Sequence, residues 1–159
     1  MIQWKYLCVF ALAISLFSCG EKELARASYE FPEGYTWNKS DTVELKLNVQ
    51  HNAEPCELFL DVRYATFFPA ADLNLKLIEV NPQGERISRD LSIPIRNAKG
   101  EFEGDVSGDI GDITRELESV KQFPTHGTYT YKLVYTMPVN PLVGIMEFRI
   151  RATEKEKKK

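Results

Sequence analysis

In residues 42–50, Val43, Leu45, Leu47 and Val49 alternate with Glu44, Lys46 and Asn48, and this two-residue period returns along most of the chain. A strand sends successive side chains to opposite faces, so alternation of this kind demands a sheet with one face buried and one face wet. In 56–64, Leu58, Leu60, Val62 and Tyr64 alternate with Glu57, Phe59, Asp61 and Arg63, and in 72–80, Leu73, Leu75 and Leu77 alternate with Asn74, Lys76 and Ile78. Further strands are expected over 86–95, 101–106, 128–136 and 143–153. Asn81-Pro82-Gln83-Gly84 and Asn97-Ala98-Lys99-Gly100 read as turns between them. Pro94 has no backbone donor, which places its strand at an edge or an end. Ile113, Leu117 and Val120 have helical spacing behind a potential cap at Asp112, which predicts one short helix. The expected fold is therefore all-β, an antiparallel β-sandwich of about seven to nine strands with one short helix.

The N-terminus follows a different rule. Lys5 precedes an apolar or small run from Tyr6 to Phe17, too short for a membrane span of roughly 20 residues. That layout, closed by Ser18, fits a cleaved secretion signal. Leu16-Phe17-Ser18-Cys19 resembles the bacterial lipobox. The resemblance implies cleavage before Cys19, a diacylglycerol on its thiol and an acyl (palmitate-type) chain on the new amine. Two or more acyl chains make attachment durable, at about 0.8 kcal/mol per buried methylene. Of the three cysteines, Cys8 would leave with the signal and Cys19 would carry the lipid, so Cys56 would have no disulfide partner. The expected organisation is a signal peptide over 1–18, a lipidated polar tether over 19–27, a sandwich domain over 28–153 and a charged tail over 154–159.

A net charge of −3 without a basic patch in the body speaks against a nucleic-acid partner. The two histidines, His51 and His126, lack metal-ligand spacing, and no nucleophile or phosphate-loop motif is present, so no catalytic residue and no cofactor are expected. Asp105, Asp109 and Asp112, interleaved with Gly104, Gly108 and Gly111, are weak ligands for a hard cation such as calcium; a plain acidic connection is the simpler reading. Phe67 and Phe68 in a loop, with Tyr35 and Trp37 nearer the N-terminus, are candidates for stacking on a partner protein or a sugar ring.

The order of short motifs along the mature chain resembles the gliding-motility lipoprotein GldH family. The matching pieces are Trp37-x-x-x-Asp41-x-Val43, the run from Cys56 to Tyr64, Phe68-Pro69 and Asp72-Leu73. They continue with Gly84, Gly100-x-x-x-Gly104, Gly108-Asp109-Ile110, Phe123-Pro124, Gly127-x-Tyr129, Met137 and Leu142-Val143-Gly144-Ile145. The chain differs from the usual pattern at Tyr64-Ala65-Thr66-Phe67, where an Asn- or Asp-rich loop is common, and at Pro138. The resemblance implies a lipoprotein of the cell envelope, most simply at the outer membrane. Its expected partners are the membrane, through the N-terminal lipid, and envelope proteins of a motility or secretion complex. A non-catalytic subunit is the expected role, with a surface glycan-binding lipoprotein as the alternative.

Overall fold

The structure is a computed structural model and describes residues 22–50 and 54–155. Cys19, the preceding signal segment, His51 and the end of the tail lie outside the described residues. Eleven strands are present among them: β1 (Glu23–Glu30), β2 (Thr36–Trp37), β3 (Val43–Val49), β4 (Cys56–Ala65), β5 (Asp72–Val80), β6 (Arg86–Pro94), β7 (Asp105–Ser107), β8 (Ile110–Lys121), β9 (Gly127–Tyr135), β10 (Leu142–Val143) and β11 (Ile145–Glu154). They form a five-stranded sheet ordered β1-β11-β4-β8-β7, a four-stranded sheet ordered β3-β9-β5-β6, and a two-stranded ribbon of β2 and β10. Every pairing is antiparallel. The two larger sheets share one apolar core, which makes the molecule a sandwich.

The alternation places that core. Val43, Leu45, Leu47 and Val49 of β3 are buried while the residues between them are exposed. β9 answers with Tyr129, Tyr131, Leu133 and Tyr135, in register with β3 through Leu45↔Tyr131 and Leu47↔Tyr129. From the other sheet come Leu58, Leu60, Val62 and Tyr64 of β4, and Phe148 and Ile150 of β11. Trp37 closes one end of the core. Its ring meets Tyr135 edge-on at 5.0 Å and Phe148 at 5.6 Å, one aromatic from each sheet, and its Nε1 donates to the Asp41 carbonyl at 3.0 Å. Phe123 and Tyr129, 4.8 Å apart, pack at the other end.

Four sequence expectations are corrected. The expected helix near 112–120 is the strand β8, paired along β4 from Ile110↔Ala65 to Lys121↔Cys56. Ile113 and Leu117 are four apart, a spacing shared by one face of a helix and one face of a strand. The β-branched Ile110, Ile113, Thr114 and Val120 tilt the balance to strand. Register shifts opposite Cys56–Leu58 and Leu58–Phe59 break the two-residue period that would have revealed it. The strand expected over 101–106 shrinks to β7, preceded by a single Arg96↔Phe102 bridge. Trp37 and Phe68, expected at the surface, are each 1% exposed. The strand count is eleven, above the seven to nine expected, partly because β1 starts at Glu23, within the stretch read as tether.

The two Asn-x-x-Gly turns are built alike. Asn81 Oδ1 accepts from the backbone N–H of Gln83 and Glu85, and Asn97 Oδ1 accepts from those of Lys99 and Glu101. Each asparagine amide also donates to the glutamate four residues on. Gly84 and Gly100, with φ of 85° and 82°, occupy the left-handed position that each turn requires.

Candidate functional site: an aromatic tip and an inter-sheet charge cluster

The two ends of the sandwich differ in chemistry. The described chain begins at Lys22, whose ammonium is ion-paired with Glu154 at the end of β11. A cleft of about 690 Å³ lies at this end, between the start of β1 and the end of β3, with Leu24, Val49, Phe123 and Ala152 among its walls and Lys22 and Glu154 among its polar lining. At the other end of β11, Ile145 pairs with Tyr64, and the chain continues from β4 into the loop that carries Phe67. A ten-residue strand separates the ends, roughly 30 Å at the usual rise.

At that far end Phe67 stands 60% exposed, with Val106 and Ile110 also open to solvent. These three residues share a neighbourhood through the backbone. Ile110 pairs with Ala65 and with Ser107, and Thr66 N–H donates to the Asp109 carbonyl. Gly144 lies directly under the Phe67 ring. The loop is rigid because Arg96 is threaded beneath it. One guanidinium nitrogen donates to the carbonyls of Phe68 (3.0 Å) and Ala70 (3.2 Å), and the other to that of Thr66 (2.9 Å). The guanidinium also lies 4.3 Å from the Phe102 ring centre. Phe68 turns inward and Tyr35, whose carbonyl accepts from the Gly144 N–H, is half-buried, so of the aromatics expected as contacts here Phe67 is the most exposed.

The three aspartates do not form a metal cage. Asp105 and Asp112 face each other across the β7–β8 hairpin, and Asp112 is engaged by Arg63 at 2.8 Å. Among the described residues no group of three His, Cys, Asp or Glu side chains converges as metal ligands would. His126 sits in the turn before β9, and Cys56 is buried, its thiol donating to the Lys121 carbonyl.

A second cluster escaped the sequence. Lys121 of β8 reaches across to β5 of the other sheet, where its Nζ contacts both carboxylate oxygens of Glu79 at 2.7 Å, and it also meets Glu118 at 3.3 Å. Arg89 of β6 meets the same Glu118 at 3.3 Å. The Tyr131 hydroxyl is buried beside them and meets no partner at hydrogen-bond geometry. Burial first, then the carboxylates of Glu79 and Glu118, push this phenol well above its ordinary value. Glu79 falls on an alternating strand, where sequence alone reads it as a solvated position, and the partners that cross between the sheets are 29 and 42 residues apart. Two cations paired with two carboxylates bridge the two sheets.

The GldH lipoprotein family profile matches residues 25–151, nearly the whole sandwich. The chain belongs to the GldH lipoprotein family. A gliding motility lipoprotein GldH homolog from Christiangramia forsetii is 27% identical over 141 residues, covering 87% of this chain and 85% of its own. Solved structures give weaker likenesses. A non-crystalline-cellulose-specific carbohydrate-binding module, CBM28, is 12% identical with a TM-score of 0.40, covering 82% of this chain and 73% of its own. An exo-β-1,3-galactanase from Phanerochaete chrysosporium is 12% identical with a TM-score of 0.39, and this GldH family member covers 29% of its length. Likenesses at that level transfer no sugar-binding property to the GldH chain.

Proposed function

We propose that this GldH family member is a lipid-anchored, non-catalytic subunit of the cell envelope, attached at the outer membrane through Cys19, and that it presents the Phe67 tip to protein partners of a motility or secretion assembly. The observation that carries the reading is the exposure of Phe67 on a loop fixed by Arg96, at the far end of the sandwich from Lys22. Cys19 lies three positions before Lys22, so the tether reaches about 10 Å at most. An anchor that short holds one end of the domain near the bilayer and leaves the opposite end free. A pre-ordered aromatic loses little conformational freedom on binding and can dominate an interface.

The sugar-binding reading has less support, because Trp37 and Phe68 are in the core and Tyr35 is half-buried, which leaves Phe67 as the one fully exposed ring of the four candidates. The test is a cross-linked pull-down of the membrane-anchored protein from its native envelope, comparing the natural chain with Phe67→Ser. Recovery of envelope proteins by the natural chain and their loss with Phe67→Ser is the expected result. Equal recovery by both would remove the tip from the interface.

A further inference from the structure

The sandwich has four sheet edges, and three of them are closed or guarded. β1 and β3 lie side by side and cover each other. β7 spans three residues, and the stretch of β8 beyond it is bulged, which discourages pairing. The fourth edge, β6, is open. It pairs with β5 over nine residues without a register shift, and nothing pairs with its other side among the described residues. Its Ile87 is 69% exposed, the most open large hydrophobic side chain described. Arg86 and Asp90 are exposed on the outer face of the same strand, and neither is in an ion pair among the described residues.

We infer that β6 is the docking edge for a second copy of this chain, with β6 of each copy antiparallel about Ser88. The charges select that register. A two-fold axis normal to the sheet and centred on Ser88 sets Arg86 opposite Asp90 of the other copy, twice. On the inner face it sets Ile87 against the Arg89 stem. Centring on Arg89 or Asp90 would instead put like charges in contact, which opposes pairing. The interface is isologous, so it closes at two copies. The two four-stranded sheets become one eight-stranded sheet, and the five-stranded sheets, with Lys22 at the start of each chain, stay on the same side. The axis also reverses the strand direction, so the Phe67 tips of the two copies point opposite ways.

The test uses the full chain in its native membrane. Directly opposed residues of an antiparallel pair have Cα atoms about 4.5–5.5 Å apart, within disulfide range. Ser88→Cys should give a covalent dimer on mild oxidation. Ser92→Cys, on the same face of the same strand, should not, because its counterpart then lies roughly 27 Å away. Arg86→Asp in the Ser88→Cys background should cut the cross-linked fraction about tenfold, and adding Asp90→Arg should restore it. Arg86 is exposed, so an unchanged circular dichroism spectrum will show that the variants fold. Absence of the Ser88→Cys dimer, its formation equally at Ser92→Cys, or cross-linking of Ser88→Cys to a different protein would each overturn the inference. None of these results depends on Phe67, so they leave the tip reading to its own test.

Discussion

Lys121 and Glu79 meet across the gap between the two sheets, the ammonium 2.7 Å from both carboxylate oxygens, with side chains 9% and 13% exposed. Removing one member strands the other in a partly dry site. Lys121→Ala is therefore expected to cost about 3 kcal/mol. Lys121→Met, which retains the stem over Phe123 and still orphans Glu79, should cost less. Denaturant midpoints at constant m-value would measure both, and a loss under 1 kcal/mol for Lys121→Ala would mean that water already screens the pair.

Tyr131→Phe should go the other way. It removes a buried hydroxyl whose contact with the Glu79 carboxylate falls short of good hydrogen-bond geometry, and the expected gain is at most about 1 kcal/mol at neutral pH. The phenol is raised above its unfolded value, so its contribution is full below that value and is lost as pH rises through the folded one. The natural chain should weaken from about pH 10 upward. The variant should be flatter there, as followed by denaturant titrations along a pH series.

The acid side has its own groups. The Lys132 ammonium, hydrogen-bonded to Glu44, lowers that carboxyl, and the Asn38 and Ser40 side chains lower Asp41. Carboxyls held below their unfolded values stabilise the fold above those values, and the benefit disappears as pH falls through the folded ones. Lys132→Gln should shrink the stability lost below about pH 4.5, with little change on the alkaline side. An unchanged acid limb in the same titration would contradict the Glu44 assignment.

Trp37 and Phe67 should separate cleanly. Trp37→Ala opens the end of the core and is expected to cost about 4 kcal/mol. Phe67→Ala touches a solvated ring and should stay within about 0.5 kcal/mol in thermal and chemical unfolding. A large loss at Phe67 would make it a packing residue.

Gly111 has the side chain of Tyr64 directly above its α-carbon, closer than any Cβ tolerates. Gly111→Ala must displace the ring, whose hydroxyl donates to the Glu103 carbonyl at 2.8 Å, and should cost about 2–3 kcal/mol. Tyr64→Leu in the same chain should recover part of that loss, a coupling that a double-mutant cycle would read directly.

Much of the fold can be read from the chain because β3, β4, β5 and β9 each bury one alternating face, and a one-residue slip would turn that face to water. β8 is illegible for the opposite reason. It sits beside the sheet edge, its inward positions include Arg115 and Glu118, and its bulges invert the in–out parity of the residues beyond them. The tip is half visible: Phe67-Phe68 stands out as an aromatic pair, but only the strand direction decides which ring turns inward. Arg96 gives no local signal at all, since its carbonyl partners are 26 to 30 residues away.

β1 runs antiparallel to β11 from Lys22 toward the far end, bonded from Glu23↔Thr153 to Glu30↔Glu147. A tug on the N-terminus, directed away from the body along the strand axis, therefore acts perpendicular to these hydrogen bonds and strains them all together. Peeling, which would break them one at a time, requires a sideways pull. The first strand thus joins the N-terminus to the domain as a shear clamp, which resists an axial pull far better than a sideways one.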